Sequence, residues 1–181
     1  MLEQTTGRVI QTARLGEYFH HAVQSAASRR HLSADEATLH YLASLLCQYA
    51  RSEQVFDYDA HRLQLRPLAL LYGEALAARG HRERRLWLQR LGDLALFVGG
   101  LFAGHLSRHF QDLDYCVAMG GNAYGYLQLT ATRPNEQAQA AVFGELADRF
   151  SHFVDLVAVV TGREVRGSRT EGRGKATDFH S

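Results

Sequence analysis

The stretch that decides the fold is Trp87–Phe102, which reads WLQRLGDLALFVGGLF. Its large apolar side chains recur at intervals of three and four residues, as Trp87, Leu91, Leu94 and Val98 illustrate. That spacing places them on one face of an α-helix, whereas a half-buried strand would alternate apolar and polar residues. The stretch therefore predicts a long central helix.

The same spacing recurs outward from this stretch in both directions, and alternation of β-branched residues is almost absent. Pro67 suits the first turn of a helix, and Gly80 and Gly162 suit helix ends. The sequence predicts an all-α fold, a single-domain bundle of about six helices. Their approximate limits are 5–30, 33–50, 68–79, 85–102, 112–127 and 134–162.

The last nineteen residues differ in composition from the rest of the chain. Residues 163–181 are rich in glycine, serine, threonine and charge and have almost no apolar side chains. A segment of this kind cannot bury enough apolar surface to offset the entropy lost on ordering. We expect a helical domain over residues 1–162 and a disordered tail over 163–181.

Composition and charge exclude several classes of protein. The chain has 181 residues, 46% of them hydrophobic and 22% charged, with a formal net charge of +1. One domain of this size buries roughly 70% of its unfolded surface and needs no metal or disulfide to fold. A net charge so close to zero gives no general attraction to nucleic acid or to an anionic membrane. We expect no direct contact with either.

The pattern of cysteines and apolar runs indicates a cytoplasmic protein. Cys47 and Cys116 lie far apart and outside any CxxC pair, so neither a disulfide framework nor a cysteine zinc site is predicted. Met1–Gly16 lacks the basic and continuous apolar regions of a secretory signal. The apolar run Leu94–Leu106 is shorter than the roughly 20 residues of a membrane-spanning helix.

Two pairs of glycines stand out in the fourth and fifth predicted helices. Gly100 and Gly104 are four residues apart, as are Gly121 and Gly125, so each pair leaves a gap on one helix face. Glycine lowers helix stability, so we expect close packing at these positions to compensate for the loss. These two helices form a central glycine-containing pair, and two interpretations stay open. Either they cross tightly, or the gap is a groove or the seam of a homodimer.

A charged residue opens this apolar segment. Asp93 stands between Gly92 and Leu94. A carboxylate at such a position must be paired or lie close to solvent. Arg90 and Arg108 are the partners that the sequence offers.

No catalytic constellation, metal site or cofactor motif emerges from the residue pattern. His105 and His109 lie four apart on one helix, but the Glu and His residues needed for a carboxylate-bridged metal pair do not recur at the required spacing. Nucleophile elbows and phosphate-binding loops are also missing. The sequence predicts no catalytic residue, no metal and no cofactor. The alternative is a protein that binds a small molecule, haem or a metal, with or without enzymatic activity, in the glycine-lined helix pair.

The segment Trp87–Leu127 carries a resemblance. It contains Leu91-Gly92-Asp93, Asp114-Tyr115 and Gly120-x-x-Ala123-Tyr124. With these markers it resembles a family of small bacterial all-helical proteins and is similar to the quorum-threshold antiactivators of pseudomonads. The resemblance implies a non-enzymatic regulatory protein that blocks LuxR-type quorum-sensing transcriptional regulators by direct contact. It supplies no catalytic residue to carry over.

A protein of that kind needs surface anchors. Aromatic residues outside an obvious core stripe are the natural candidates, since large amphipathic rings dominate the binding energy of interfaces. The candidate partner-binding residues are Phe56, Tyr58, Tyr115, Tyr124 and Tyr126.

Overall fold

The computed structural model describes residues 2–51, 66–106 and 110–162, and it confirms the all-helical class. These residues form seven helices and no strand. The helices are α1 (Leu2–Arg29), α2 (Glu36–Arg51), α3 (Arg66–Ala77), α4 (His81–Leu106), α5 (Phe110–Leu129), α6 (Pro134–Asp148) and α7 (Phe150–Val160). The expected tail over 163–181 lies outside the described residues.

Local signals account for three of the helix ends. Pro67 lies in the first turn of α3, and Gly162, with a positive φ of 69°, follows the end of α7. The end of α1 uses a left-handed residue that is not glycine. His31 has a φ of 53°, and the amide of Leu32 donates to the carbonyl of Ala27 at 2.9 Å. That six-residue hydrogen bond closes the helix in the manner of a Schellman cap.

The single sixth helix predicted from Pro134 is wrong, because the chain breaks at Arg149 into α6 and α7. Arg149 has φ −124° and ψ 29°, which is not helical, and its carbonyl accepts the first hydrogen bond of the new helix, from His152 at 3.0 Å. Its guanidinium donates to the backbone carbonyl of Ser33 and to Glu145. The apolar spacing continues through the break, since Leu146 before it and Phe150 after it are both buried. A break of one residue therefore leaves the periodic pattern unchanged.

The core is built around α4. Among the described helices, α5, α7 and α3 all pack against α4, α6 packs on α5, and α1 packs on α2 and α7. The largest completely buried side chains come from all seven helices. They are Val23, Leu42, Leu46, Leu68, Leu91, Leu96, Tyr124, Leu127, Phe143, Leu146, Phe153 and Leu156.

A buried carboxylate links the start of α6 to the start of α4. Glu136 accepts hydrogen bonds from the amides of Thr132 at 3.0 Å and Arg133 at 3.1 Å. His81 Nε2 lies 3.4 Å and Arg85 Nε 3.5 Å from the same carboxylate. The Thr132 amide, followed by the Arg133 amide, His81 and Arg85, lowers the pKa of Glu136 to about 2. The charged form of Glu136 thus holds α6 in place.

Candidate functional site

The side chains of α2, α4 and α5 meet at a partly buried aspartate. Asp93 of α4 accepts two hydrogen bonds at the same oxygen, Oδ1. One comes from the Tyr41 hydroxyl of α2 at 2.7 Å, and the other from the Tyr124 hydroxyl of α5 at 2.7 Å. Gln89, one turn earlier in α4, donates from Nε2 to the Tyr41 oxygen at 3.1 Å. The two tyrosines therefore tie their helices to the central one.

Burial sets the protonation of this cluster. It raises the pKa of Asp93 to about 6, although the hydrogen bonds from Tyr124 and Tyr41 act in the opposite direction. Burial, and after it the charge of Asp93, raises the pKa values of Tyr41, Tyr49 and Tyr124 above the ordinary tyrosine range. The hydroxyls therefore remain hydrogen-bond donors at neutral pH, and Asp93 is the group in the cluster that titrates near neutrality.

Among the described residues, the hydrogen-bond partners of Asp93 are two tyrosines rather than Arg90. The guanidinium of Arg90 lies 4.9 Å from the centre of the Trp87 ring instead, and Arg108 lies outside the described residues. In the described part of the chain, two neutral hydroxyls take the place expected for Arg90, and Asp93 lies beside an aromatic cluster. There, the Tyr124 ring stacks on Phe143 with centroids 5.6 Å apart.

The glycines pack closely, but mostly against other elements than those expected. A Cβ built at Gly100 would lie 3.0 Å from the carbonyl oxygen of Val154 in α7, and closer still to the Val157 side chain. Gly121 and Gly125 face Ala147 of α6, where built Cβ atoms would lie 3.7 and 3.9 Å from its atoms. The helices α4 and α5 do pack closely together, but the atoms nearest to these three positions belong to α6 and α7.

Two other glycines let α4 and α5 approach each other. A Cβ at Gly92 of α4 would come within 2.7 Å of the Tyr124 ring of α5. At Gly120 of α5 a Cβ would lie 3.0 Å from Ala95 of α4 and closer still to Phe150 of α7. Side chains fill these gaps, so neither position is an open groove. Gly104 belongs to α4, but its surroundings lie outside the described residues.

Among the paired glycines of α4 and α5, Gly121 borders an open space. A cavity of about 500 Å³ lies between α5 and the junction of α6 and α7, and Gly121 forms part of its wall. The polar groups that line it include Asn122, Arg149, Ser151 and His152. This cavity lies beside α5 and is not between α4 and α5.

The outer face of α5 has no charged residue after its first turns. From Tyr115 to Thr132 the sequence contains no Asp, Glu, Lys or Arg, although Ala118 and Asn122 are exposed and Leu129 is 84% exposed. Three half-buried side chains follow one border of this face at spacings of four and seven residues. They are Tyr115, Met119 and Tyr126. We call these residues, with Ala118, Asn122 and Leu129, the α5 face.

The candidate anchors therefore divide into three groups. Tyr115 and Tyr126 lie on the α5 face and are partly accessible. Tyr124 is wrong as a surface anchor, because its side chain has no exposed area and its hydroxyl is bonded to Asp93. The helix turns by 100° per residue, so Tyr124 points inward while Tyr126, two residues later, points towards the border of the face. Phe56 and Tyr58 lie outside the described residues.

Sequence reasoning missed the residues that organise the interior. Tyr41 and Gln89 complete the Asp93 cluster, and Glu136 and Arg85 join α6 to α4. The one signal for Tyr41 is its residue type at the edge of an apolar helix face. A tyrosine hydroxyl that becomes buried there needs a hydrogen-bond partner. Nothing in the spacing identifies that partner as Asp93.

Two further features concern the parts of the chain that the structure describes. There, no three His, Cys, Asp or Glu side chains come together to hold a metal ion. The imidazole of His105 and all of His109 lie outside those parts. No described helix combines the length and apolar character needed to cross a membrane.

Comparison of the chain with protein-family models, with curated proteins and with solved structures finds no match.

Proposed function

We propose that this chain is a non-enzymatic regulatory protein that acts by binding another protein through the α5 face. The single observation that carries the proposal is the absence of charge from Tyr115 to Thr132, on a helix whose outer side chains reach solvent. Ordinary surface helices place charged residues on the side away from the core. A face without them is suited to burial in a complex.

The composition of the face supports this interpretation. The cores of protein interfaces are depleted of charged residues and enriched in tyrosine and methionine. Tyr115, Met119 and Tyr126 form one border, and the small residues Ala118 and Asn122 leave a shallow centre. A helix or loop of a partner fits against such a surface, with the two tyrosines as anchors.

The resemblance of Trp87–Leu127 to quorum-threshold antiactivators supports a finer proposal about the target. In that proposal the partner is a LuxR-type transcriptional regulator, blocked by contact in the cytoplasm. The chain itself makes no contact with DNA. The α5 face lies almost entirely inside the segment that carries the resemblance.

Calorimetric titration of the purified chain against the LuxR-type regulators of its own organism tests this proposal. We expect saturable binding, which Asn122→Arg weakens at least tenfold, because a charge would be buried at the centre of the α5 face. Gln139→Arg, which adds the same charge to an exposed position on α6, is the matched control and should bind normally.

Two outcomes would contradict it, at different levels. Equal binding by wild type, Asn122→Arg and Ala118→Arg would show that the α5 face is the wrong surface. No binding to any of these regulators, together with an unchanged quorum response in a deletion strain, would remove the LuxR-type target.

A second candidate function rests on the cavity beside Gly121. Its volume of about 500 Å³ lies within the usual range for small-molecule sites, roughly 300–1,000 Å³. The carboxylate of Asp148 lines the cavity together with Arg149 and His152, so a ligand there would carry both hydrogen-bond donors and acceptors. Native mass spectrometry and an absorbance spectrum of the purified chain test this function, and a spectrum of polypeptide alone at the expected mass would argue against it.

A further inference from the structure

The helix α3 exposes an apolar stripe that the described part of the chain leaves uncovered. Leu70 is 61% exposed and Leu76 is 64% exposed. Ala69, Gly73 and Ala77 are exposed on the same face. The opposite side of α3 packs on α4. We call these five residues the α3 stripe.

The α3 stripe has the same order of residue types in both directions from its centre. Starting at Gly73, leucine lies three residues away and alanine four residues away towards either end of the helix. These offsets place all five residues on one face. A second α3 running antiparallel, with a two-fold axis at Gly73, would set Leu70 of one copy against Ala77 of the other, and Leu76 against Ala69. Each large side chain would then meet a small one.

Gly73 removes the obstacle to close approach at that axis. A Cβ built at Gly73 would meet no described atom of this chain within 4 Å, so packing among the described residues does not require the glycine. Glycine is less favourable than alanine inside a helix. The backbone of a second helix crossing close to Gly73 would explain why a glycine occupies this position.

We propose that the chain forms a two-fold symmetric homodimer in which the α3 stripes of two copies pack antiparallel across Gly73. Between Pro67 and Ala78 the one charged residue is Glu74, which lies at the flank of the stripe, so no charge is buried. An isologous contact of this kind closes on itself and stops at two copies. The proposal uses a different helix from the α5 face and stands independently of the proposed function.

The size of the surface sets the strength of the dimer. A helix of twelve residues is about 18 Å long and about 10 Å across, and covers a few hundred Å² on each protomer. A stable interface buries about 800 Å² per partner. The dimer is therefore weak and reversible, as small interfaces of this class are.

Sedimentation of the full-length chain from about 5 to 500 μM tests the proposal. We expect a monomer–dimer equilibrium that Leu70→Glu weakens at least tenfold, since it places a carboxylate against Ala77 of the second copy. Leu86→Glu changes an exposed leucine on α4 (48% exposed) and is the matched control that should dimerise normally. Circular dichroism and thermal melting verify that both variants fold.

A cysteine at the axis gives a second, geometric readout. A disulfide needs Cα atoms within about 7 Å, a distance that the proposed dimer meets at Gly73 alone along the stripe. We expect Gly73→Cys to form a covalent dimer on mild oxidation and Leu86→Cys to form none. The native Cys47 and Cys116 are buried.

Three results would each overturn the proposal. One is a wild-type monomer throughout the concentration range. Another is a dimer that Leu70→Glu leaves intact. The third is a monomeric wild type whose binding to a regulator depends on Leu70, which would assign the α3 stripe to that partner instead.

Discussion

Two regions of this molecule carry the same local pattern, glycine among leucines and alanines on a helix, and use it differently. In the centre, the gap at Gly100 is filled by Val157 and the gap at Gly120 by Phe150, both from α7. On α3, the gap at Gly73 faces open space. The spacing of glycines therefore predicts that another element packs closely against the helix, but it does not identify that element.

The energetic role of glycine differs between the regions for the same reason. At Gly100 the loss of helix propensity is offset by packing of α7 against the α4 backbone, which a side chain would block. At Gly73 no contact among the described residues offsets that loss. Substitution at the two positions should therefore change stability in opposite directions.

The largest expected effect is at Gly100. Gly100→Ala should lower the free energy of unfolding by about 3 kcal/mol, because the new methyl group would displace the Val157 side chain and the Val154 backbone. Gly73→Ala, measured in dilute solution, is the matched control and should raise it by about 0.5–1 kcal/mol. Urea denaturation at equilibrium measures both. Losses of similar size at the two positions would contradict the contrast between filled and open gaps.

Asp93 gives the central region a pH dependence that α3 lacks. Its pKa rises from 3.8 to about 6 on folding, so the folded state holds the proton more tightly. The free energy of unfolding should therefore fall as the pH rises through this interval, by about 3 kcal/mol in total, and then stay level. Below about pH 3.8 the contribution of Asp93 to the free energy of unfolding is at its maximum.

Asp93→Asn removes this titration. The difference in free energy of unfolding between the variant and wild type should shift in favour of the variant by about 2–3 kcal/mol as the pH rises from about 3.5 to 7.5. Denaturant melts of both proteins across this range isolate the contribution, since all other titrating groups are shared. Parallel curves for the two proteins would show that Asp93 does not titrate as described.

The smallest effect concerns one hydrogen bond to Asp93. Tyr124→Phe keeps the stacking on Phe143 but removes a donor at 2.7 Å from the carboxylate. It should cost about 1–2 kcal/mol at neutral pH, and less as the pH falls below the folded-state pKa of Asp93, about 6, because the carboxyl is then protonated. Tyr126→Phe, two residues along α5 and partly accessible, serves as control and should change stability by less than about 0.5 kcal/mol. A cost at Tyr124 independent of pH would contradict the charge-assisted bond.

The candidate site was predictable only in part. The absence of charge along α5 is visible in the sequence, and Tyr115 and Tyr126 lie on its accessible border. Tyr124 has the same residue type and the same surroundings in sequence, yet it is completely buried. Residue type alone could not separate these tyrosines, because the direction in which each points depends on where α5 contacts α4 and α6.

By itself, the sequence determined that the chain is helical and where several helices begin and end. Apolar spacing, Pro67 and Gly162 act within a few residues, so no long-range contact is needed to read them. Tertiary structure alone decided that Tyr41 binds Asp93, 52 residues away, that α7 rather than α5 covers Gly100, and that the chain breaks at Arg149. Hydrogen-bond partners and packing depend on how the helices are arranged in space. The apolar periodicity of a helix, in contrast, is the same whichever helix packs against its apolar face.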